Sequence, residues 1–416
     1  MPTACGVDFG TSNSTVGWSR PAQSALLLLE DDKPTLPSVL FFNSEEDVIT
    51  YGRAALAEYL AGYEGRLMRS LKSLLGTRLM DDDTEVLGRA VPFRALLGQF
   101  IGELKRRADL AAGCEFTSAV FGRPVFFVDG NPEADQLAEN TLADVARAVG
   151  FRNIAFQYEP IAAAFDYESQ IDREQLVLVA DIGGGTSDFS LVRLAPQRAA
   201  REDRRDDILA SGGVHIGGTD FDKYLSLARI MPLLGLGSLL KNGVEVPSSH
   251  YYDLATWHTI NSAYTRRAWL DLKDVYRDAC EKDKLDRLHD LIRRRSGHWL
   301  ALKVEEGKIA LSDAARVELS LDRLLSSPTV SLQRADFDAS IGKLVTSVEE
   351  TVKNLLRDAS VSPAAVDTVF FTGGSSGVPL LREKIAALVP GAQRMEGDLF
   401  GSIGAGLALD ARRKFG

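Results

Sequence analysis

The sequence predicts an α/β protein of two lobes, each a mixed sheet flanked by helices, with a cleft between them. Three observations carry that expectation. Residues 6–17 and 176–194 are two copies of one unit: an apolar strand runs into an aspartate, glycine and hydroxyls, and a second apolar strand follows. A duplicated unit reads as two related lobes. Strand pairs followed by helices recur in both halves, the pattern of a layered α/β architecture. The chain has 416 residues, more than a single core usually holds, so it should divide into two or more compact units.

The two turns carry the chemistry. The first runs through Asp8, Gly10, Thr11, Ser12 and Asn13, the second through Asp181, Gly183, Gly184, Gly185, Thr186, Ser187 and Asp188. Consecutive glycines permit positive backbone dihedrals and remove every Cβ, so the second turn can wrap a bulky anion. Successive N–H groups in such a turn point inward and form a nest for phosphate oxygens. Carboxylates beside phosphate require a divalent cation between them. Mg²⁺ suits, because it keeps several waters and takes only one or two carboxylates. One such hairpin alone reads equally as a tight turn with capping acids; the second copy favours two phosphate-binding hairpins facing one nucleotide.

Bulk properties exclude several classes. With 45% hydrophobic and 25% charged residues the composition is that of an ordinary globular chain. No apolar run approaches the roughly 20 residues of a spanning helix, and the first residues carry no basic and apolar signal pattern. Cys5, Cys114 and Cys280 are too scattered for a disulfide framework or a zinc site, which points to a reducing, cytoplasmic setting. A net charge of −10 gives no electrostatic reason to expect nucleic acid or an anionic membrane as partner.

In chain order, residues 4–9 and 14–18 form the first hairpin, and residues 36–42 a further strand entered at Pro37. Apolar spacing from 53 to 76 is helical, with Met68, Leu71, Leu74 and Leu75 on one face. Asp81, Asp82 and Asp83 read as a solvated loop, since like charges in a run face water. Leu97, Phe100, Ile101, Leu104 and Ala108 mark an amphipathic helix, followed by a strand pair at 117–121 and 124–128. Ala138, Leu142, Val145, Ala146 and Val149 form another helical stripe, closed by Gly150. Residues 155–165 read as a strand leading through Glu159 and Pro160 into a helix of small residues.

The second hairpin opens the second lobe. The charged run 201–207 reads as a solvated hairpin tip. A further glycine-rich turn at 212–222 contains Gly217 and Gly218 and places Thr219 or Asp220 to cap the next helix. His215 has no second histidine at metal spacing and reads as structural. Residues 228–303 are mostly helical and charged, with no recognisable chemistry, and Arg293, Arg294 and Arg295 read as a solvated face. Ile341, Leu344, Val345, Val348, Val352, Leu355 and Leu356 make a long amphipathic helix. It feeds a strand at 366–371, a loop at 372–379 and a helix through Leu388. Residues 398–409 are a glycine–alanine helix able to pack closely against another backbone.

Together these stretches resemble the actin-like ATPase superfamily, with its ribonuclease H-like fold, and within it the nucleotide-binding domain of DnaK-type heat-shock chaperones. Residues 6–14 resemble that family's first phosphate loop, 181–188 its second, 158–164 its hinge segment and 372–379 its adenosine loop. The resemblance covers nearly the whole chain, in order and at matching spacing. It implies lobe I over 1–172 and lobe II over 173–393, with a helical subdomain at about 213–312, and a helix over 394–416 returning to lobe I.

The resemblance also implies roles. Asp8, Glu159 and Asp181 would hold Mg²⁺ through its waters. Gly10, Thr11, Ser12, Asn13 and Gly183, Gly184, Gly185 and Thr186 would contact phosphates of ATP or ADP, with Gly217, Gly218, Gly373, Gly374, Ser375 and Asp398 around the nucleotide. Residues 71–76 resemble the segment bearing the family's essential lysine. Lys72 would therefore sit by the γ-phosphate and position the attacking water, with Glu159, Asp181, Thr186 and Asp188 completing the catalytic set. No Walker A motif is present, so a lysine to offset transition-state charge must come from elsewhere in the chain. Without the resemblance, Lys72 reads as a surface lysine.

Two departures stand out. Residues 304–312 resemble the helix that holds ribose and adenine, suggesting Glu305, Lys308 and Ser312, but the two arginines that often clamp adenine are matched by Ile309 and Gly377. Weaker or less base-selective binding is therefore expected. The family's chaperones also continue into a linker, a peptide-gripping β-sandwich and a lid; no peptide-binding domain is expected here, and residues 229–237 resemble the lid subdomain of stand-alone DnaK-like proteins of the YegD type. The expected activity is that of a slowly hydrolysing, Mg²⁺-dependent ATPase, a chaperone-like switch reporting to a protein partner or client. The alternatives are a sugar-type kinase of the same fold, which needs an aspartate base within reach of a substrate hydroxyl, and an actin-like filament-forming ATPase. Lys72 and the Glu159–Pro160 pair favour hydrolysis over transfer.

Overall fold

The computed structural model describes residues 3–21, 23–128, 130–199, 201, 203–397 and 401–416. In lobe I, β1 (Ala4–Phe9) pairs antiparallel with β2 (Asn13–Gly17), and β2 with β3 (Thr35–Pro37). On its other side β1 runs parallel to β9 (Ser118–Arg123), which pairs in parallel with β10 (Asn153–Tyr158). Lobe II repeats this plan. There β11 (Gln175–Ile182) pairs antiparallel with β12 (Ser187–Leu194), and β12 with β13 (Ile208–Val214). Its parallel neighbours are β16 (Thr368–Thr372) and then β17 (Gln393–Glu396). The duplication seen in two turns thus extends to two complete five-stranded sheets.

Layering follows from apolar pattern. In β11, Val177, Leu178, Val179 and Ala180 are all buried, as a strand covered on both faces requires. One face of the lobe I sheet is covered by α2 (Phe93–Ala112) and α3 (Pro132–Ala148), whose Leu97, Phe100, Ile101, Leu104 and Leu142 pack with Val7, Phe9 and Phe121. The α3 helix begins as its sequence dictates: Pro132 takes the first turn, and the Asn131 side chain accepts from the Ala134 N–H at 3.1 Å. The other face is covered by α4 (Glu159–Glu168) and α12 (Ser402–Phe415). Ile161, Ala164, Leu407 and Ala411 share one cluster with Val120 of lobe I and Val177, Val179 and Phe370 of lobe II. These two helices therefore lie in the core common to both sheets.

Here the small residues of α12 are used as expected. A Cβ on Gly406 would fall 1.8 Å from the Ala162 carbonyl oxygen, and one on Gly6 would fall 2.3 Å from the Ala408 nitrogen. Only glycine admits that approach. Asp398 lies outside the described residues.

Smaller elements crown each lobe. Lobe I carries a sheet of β4 (Val39–Asn43) between β5 (Val48–Tyr51) and β6 (Gly65–Arg69), packed by α1 (Gly52–Ala61), and a hairpin of β7 (Asp83–Val86) and β8 (Arg89–Pro92). Lobe II carries α5 (Gly218–Leu225), α6 (Ser249–Ala255), a 3-10 helix at Trp257–Tyr264, α7 (Arg266–Asp278), α8 (Lys282–Arg293) and α9 (Gly297–Asp313). The hairpin β14 (Arg316–Ser320) and β15 (Thr329–Gln333) follows, then the long α10 (Arg334–Asp358) and α11 (Pro379–Leu388).

Four sequence expectations are corrected. The strand at 36–42 is two strands in different sheets, broken at Ser38, whose Oγ donates to the Gly10 carbonyl at 2.7 Å and whose N–H donates to Ser12 at 2.9 Å. The 53–76 helix stops at Gly62, which has φ 92°; Leu67 and Met68 then pair with Phe41 and Leu40 in a strand, so tertiary pairing overrides the helical spacing. Residues 124–128 form no strand. Pro124 has no N–H to give, and the Arg123 guanidinium donates to the Pro124 and Val125 carbonyls at 3.1 and 3.3 Å. The charged run at 201–207 is not merely solvated: Arg204 is 1% exposed and pairs with the buried Glu168 at 2.7 Å and with Asp207.

Candidate functional site

Two of the glycine turns meet across the cleft. Gly183 N–H donates to the Thr186 carbonyl at 2.9 Å, closing the second turn, and a Cβ on Gly184 would lie 2.4 Å from Ser12 Oγ of the first. Ser38 holds the first turn from behind through Gly10. A Cβ on Gly10 would fall 2.1 Å from the Asn13 carbonyl oxygen, so this turn closes only around glycine. The third turn nests on the second: Gly218 N–H donates to Gly183 at 3.0 Å, Thr219 N–H to Gly184 at 2.7 Å, and the Thr219 hydroxyl to Gly184 at 2.9 Å. Asp220, rather than Thr219, caps the head of α5, its carboxylate accepting from the Gly217 N–H at 3.0 Å.

Beside these turns lies an acidic cluster around one lysine. Lys72 comes from a 3-10 turn at Leu71–Leu74 and Glu159 from the first position of α4; Nζ and Oε1 are 2.6 Å apart. Burial alone would lower the Lys72 pKa, but the carboxylates of Glu159, Asp8 and Asp181 outweigh it and keep the ammonium charged. Burial pushes the Asp8 carboxyl up to about 7, with Glu159 adding to the shift and Lys72 opposing it. Asp181 is raised well above the usual carboxylate range by burial and then by Glu159, Asp188 and Asp8. Too many carboxylates thus share one cation.

Gly373, at φ 81°, lies directly on this cluster: a Cβ there would fall 2.5 Å from Asp181 Oδ1. Thr186 and Asp188 are exposed at the far side of the second turn, where the threonine hydroxyl donates to Asp188 Oδ2 at 2.8 Å. A shallow groove, open to solvent, runs from Glu159, Asp181 and Asp188 toward Val125, Phe126 and Gly213. Among the described residues no three His, Cys, Asp or Glu side chains converge closely enough to hold a metal ion by direct contact.

A second polar cluster is built on α9. Lys308 is buried, with Nζ 2.9 Å from Asp222 Oδ1 and donating to the Gly218 carbonyl at 3.1 Å. Burial raises the Asp222 pKa to about 6, and Lys308 pulls against that rise. A Cβ on Gly218 would meet Ser375 Oγ at 2.3 Å and Lys308 Nζ at 3.2 Å, so Gly218, Lys308 and Ser375 come together. Gly374 and Ser375 lie in a 3-10 turn that follows Gly373. Glu305 is half-buried one turn before Lys308; the half-buried Ser312 is engaged through its carbonyl, which accepts from Arg334 at 3.0 Å. Ile309 is 57% exposed. Asp222 and Ser38 were not anticipated from sequence, and a lone acid or serine gives no local signal that could have found them.

Residues 4–228 and 276–405 match the family model described as Hsp70 protein, leaving 229–275 outside the match. Proteins described as chaperone protein DnaK, from Thermosipho africanus and Thermosipho melanesiensis, are each 25% identical over 390 residues, covering 91% of this chain. That match covers 54% of each relative, so the chain spans about half the length of the curated relatives it matches. The two-lobed mixed α/β architecture agrees with the actin-like ATPase fold of that family.

Proposed function

Because the chain belongs to the Hsp70 family, we propose that it is an ATP-binding, slowly hydrolysing switch. Its lobes would close on nucleotide and pass that state to a protein partner or client, hinge closure being the usual way such a cleft reports its ligand. One observation carries this reading: Lys72 and Glu159 stand 2.6 Å apart beside Asp8 and Asp181, at the junction of two glycine turns.

The chemistry of each residue is the one the family resemblance implies, and its place in the cleft supports it. The N–H groups of Gly183, Gly184 and Gly185, with Thr11 and Ser12 opposite, would cradle the phosphates. Lys72, fixed by Glu159, would supply positive charge to the terminal phosphate and orient the attacking water. Thr186 and Asp188 would accept or relay the proton on the far side. The surplus of carboxylate at Asp8, Glu159 and Asp181 fits a hydrated Mg²⁺, which would neutralise charge on the phosphate oxygens when bound. Glu305, Lys308 and Ser375 would receive the nucleoside. Three cysteines, none disulfide-bonded, support a cytosolic location, and no helix among the described residues is long and apolar enough to cross a membrane.

The experiment is Mg²⁺-ATP turnover by the wild type and Lys72→Ala, with sugars screened as acceptors. Slow, lysine-dependent phosphate release that ignores acceptors is the expected result. Acceptor-stimulated ADP formation without free phosphate would overturn it in favour of a kinase.

A further inference from the structure

The lysine beside the acidic cluster hangs from a short segment with a left-handed residue at each end. Ser70 has φ 58° and ψ 35°, and Gly76 has φ 76°. Left-handed backbone is costly for a residue with a Cβ, and asparagine, aspartate and histidine bear it better than serine. A residue persists there only where its surroundings over-determine it, and such residues gather at functional sites.

Ser70 is held from both sides. Arg69 is the last paired residue of β6, opposite Val39 of β4, and its guanidinium lies over the Trp257 ring, 4.3 Å from the centroid. Leu71, next in the chain, is buried in the lobe I core with Leu75. One residue must therefore turn the chain from the strand into the core. Hydrogen bonds then lock the turn. The Ser73 N–H and hydroxyl donate to the Ser70 carbonyl at 3.0 and 2.7 Å, and the Leu75 N–H donates to the Lys72 carbonyl at 3.1 Å.

At the far end Gly76 lies against α3. A Cβ there would fall 2.6 Å from Val128 Cγ2 and 2.8 Å from the Ala134 carbonyl oxygen, so the segment seats on that helix only through glycine. With Leu71 and Leu75 committed to the core, Lys72 leaves toward the cleft and meets Glu159 Oε1 at 2.6 Å.

We propose that Ser70 and Gly76 are positioning residues, whose left-handed conformations make residues 70–76 a stiff clip that aims Lys72 into the cleft before any nucleotide arrives. The clip removes the turn's freedom to swing, so the lysine charge is placed in advance. That this placement speeds phosphate release rests on the function proposed above.

Lysine acetylation read by mass spectrometry tests the aim with no nucleotide present. The Lys72 side chain is only 11% exposed. Burial would free its amine, but Glu159, Asp8 and Asp181 keep it charged and leave little of the reactive form. Wild-type Lys72 should therefore react about ten-fold or more slowly than the exposed Lys343. Ser70→Val and Gly76→Ala, each unsuited to the left-handed region, should raise Lys72 reactivity about three-fold or more. Ser70→Gly, which adopts that region freely, should keep it within about two-fold of wild type. Lys105, buried in the same lobe, should stay protected throughout, which separates a loosened clip from unfolding. Unchanged Lys72 reactivity in both Ser70→Val and Gly76→Ala would overturn the clip, as would equal loosening by Ser70→Gly.

Turnover reads the second half. Ser70→Val should lower kcat on the order of 10- to 100-fold with ADP affinity unchanged, as misplacing a charged group by about 1 Å implies. In a Lys72→Ala background it should slow turnover no further, because it acts through that lysine. A full additional loss there would overturn the positioning role. A wild type that releases no phosphate would sink the hydrolysis reading, while the acetylation ratios still decide the clip.

Discussion

Lys72 Nζ and Glu159 Oε1 are 2.6 Å apart, each side chain only 11% exposed, although the residues are separated by 87 positions in sequence. The lysine hangs from an irregular turn under lobe I's outer sheet, and the glutamate begins α4 in the core shared by both lobes. A carboxylate in the first helical turn is favoured by the helix dipole. The pair is therefore a rigid bracket, and it holds a positive charge beside Asp8 and Asp181.

Replacing the lysine tests that bracket. Lys72→Ala should lower ATP turnover by about 10²-fold or more, the usual loss when one transition-state charge donor is removed. Nucleotide affinity should change by less than about three-fold, since in the proposed function binding draws on the glycine turns. Single-turnover phosphate release and equilibrium titration read these separately. Unchanged turnover would remove Lys72 from its role.

Asp8 gives a pH signature. Its carboxyl is pushed up to about 7 from an ordinary 3.8, so between about pH 4 and 7 the folded chain binds a proton that the unfolded chain has released. The metal-free protein should therefore lose stability as pH rises through that window. Asp8→Asn should abolish this component, making the variant the more stable of the two near pH 8 without metal. Mg²⁺ should stabilise the wild type above about pH 7 and the variant much less. Melting curves with and without Mg²⁺ check it, and equal pH slopes for the two proteins would contradict it.

Arg204 tests a buried ion network. Its guanidinium is fully enclosed between Glu168, at 2.7 Å, and Asp207, and Arg204→Ala would leave both carboxylates buried with less compensation. Removal of one partner from such a network costs about 3–5 kcal/mol. Urea denaturation should show a loss of that size, and one below about 1 kcal/mol would mean that water enters to replace the guanidinium.

Ile309 tests the proposed nucleoside side. The residue is 57% exposed on α9, one position after Lys308, where an apolar side chain contributes no cation to a base. Ile309→Arg should tighten ADP binding by roughly 2- to 30-fold, the range of a guanidinium–aromatic stack. Equal affinities for the two proteins would show that the base does not reach this face.

What the sequence made legible was local. The two glycine turns could be read because their chemistry is complete within a dozen residues, and the paired turns then foretold sheets of matching order. Residues 53–76 misled because Met68, Leu71 and Leu75 recur at helical spacing while β4 supplies a strand partner that no local pattern displays. Arg204 misled for a similar reason, its partner Glu168 lying 36 residues upstream. The Tyr59–His298 contact spans 239 positions and leaves no trace in either flanking sequence. Long-range pairing decides these cases, and it is the part of folding that composition and periodicity do not encode.

The glycine contacts of α12 carry a consequence for synthesis. Leu407, Ala408 and Ala411 cover a face of the sheet that begins at Ala4, and Gly6 and Gly406 fix the approach of the two backbones. Roughly 400 residues separate that helix from the strand it covers, which at about 5–20 residues per second takes the ribosome on the order of 20–80 s. For that whole interval this face has only α4 (Glu159–Glu168) as cover, and the part of it that Leu407 and Ala411 seal stays open until α12 emerges.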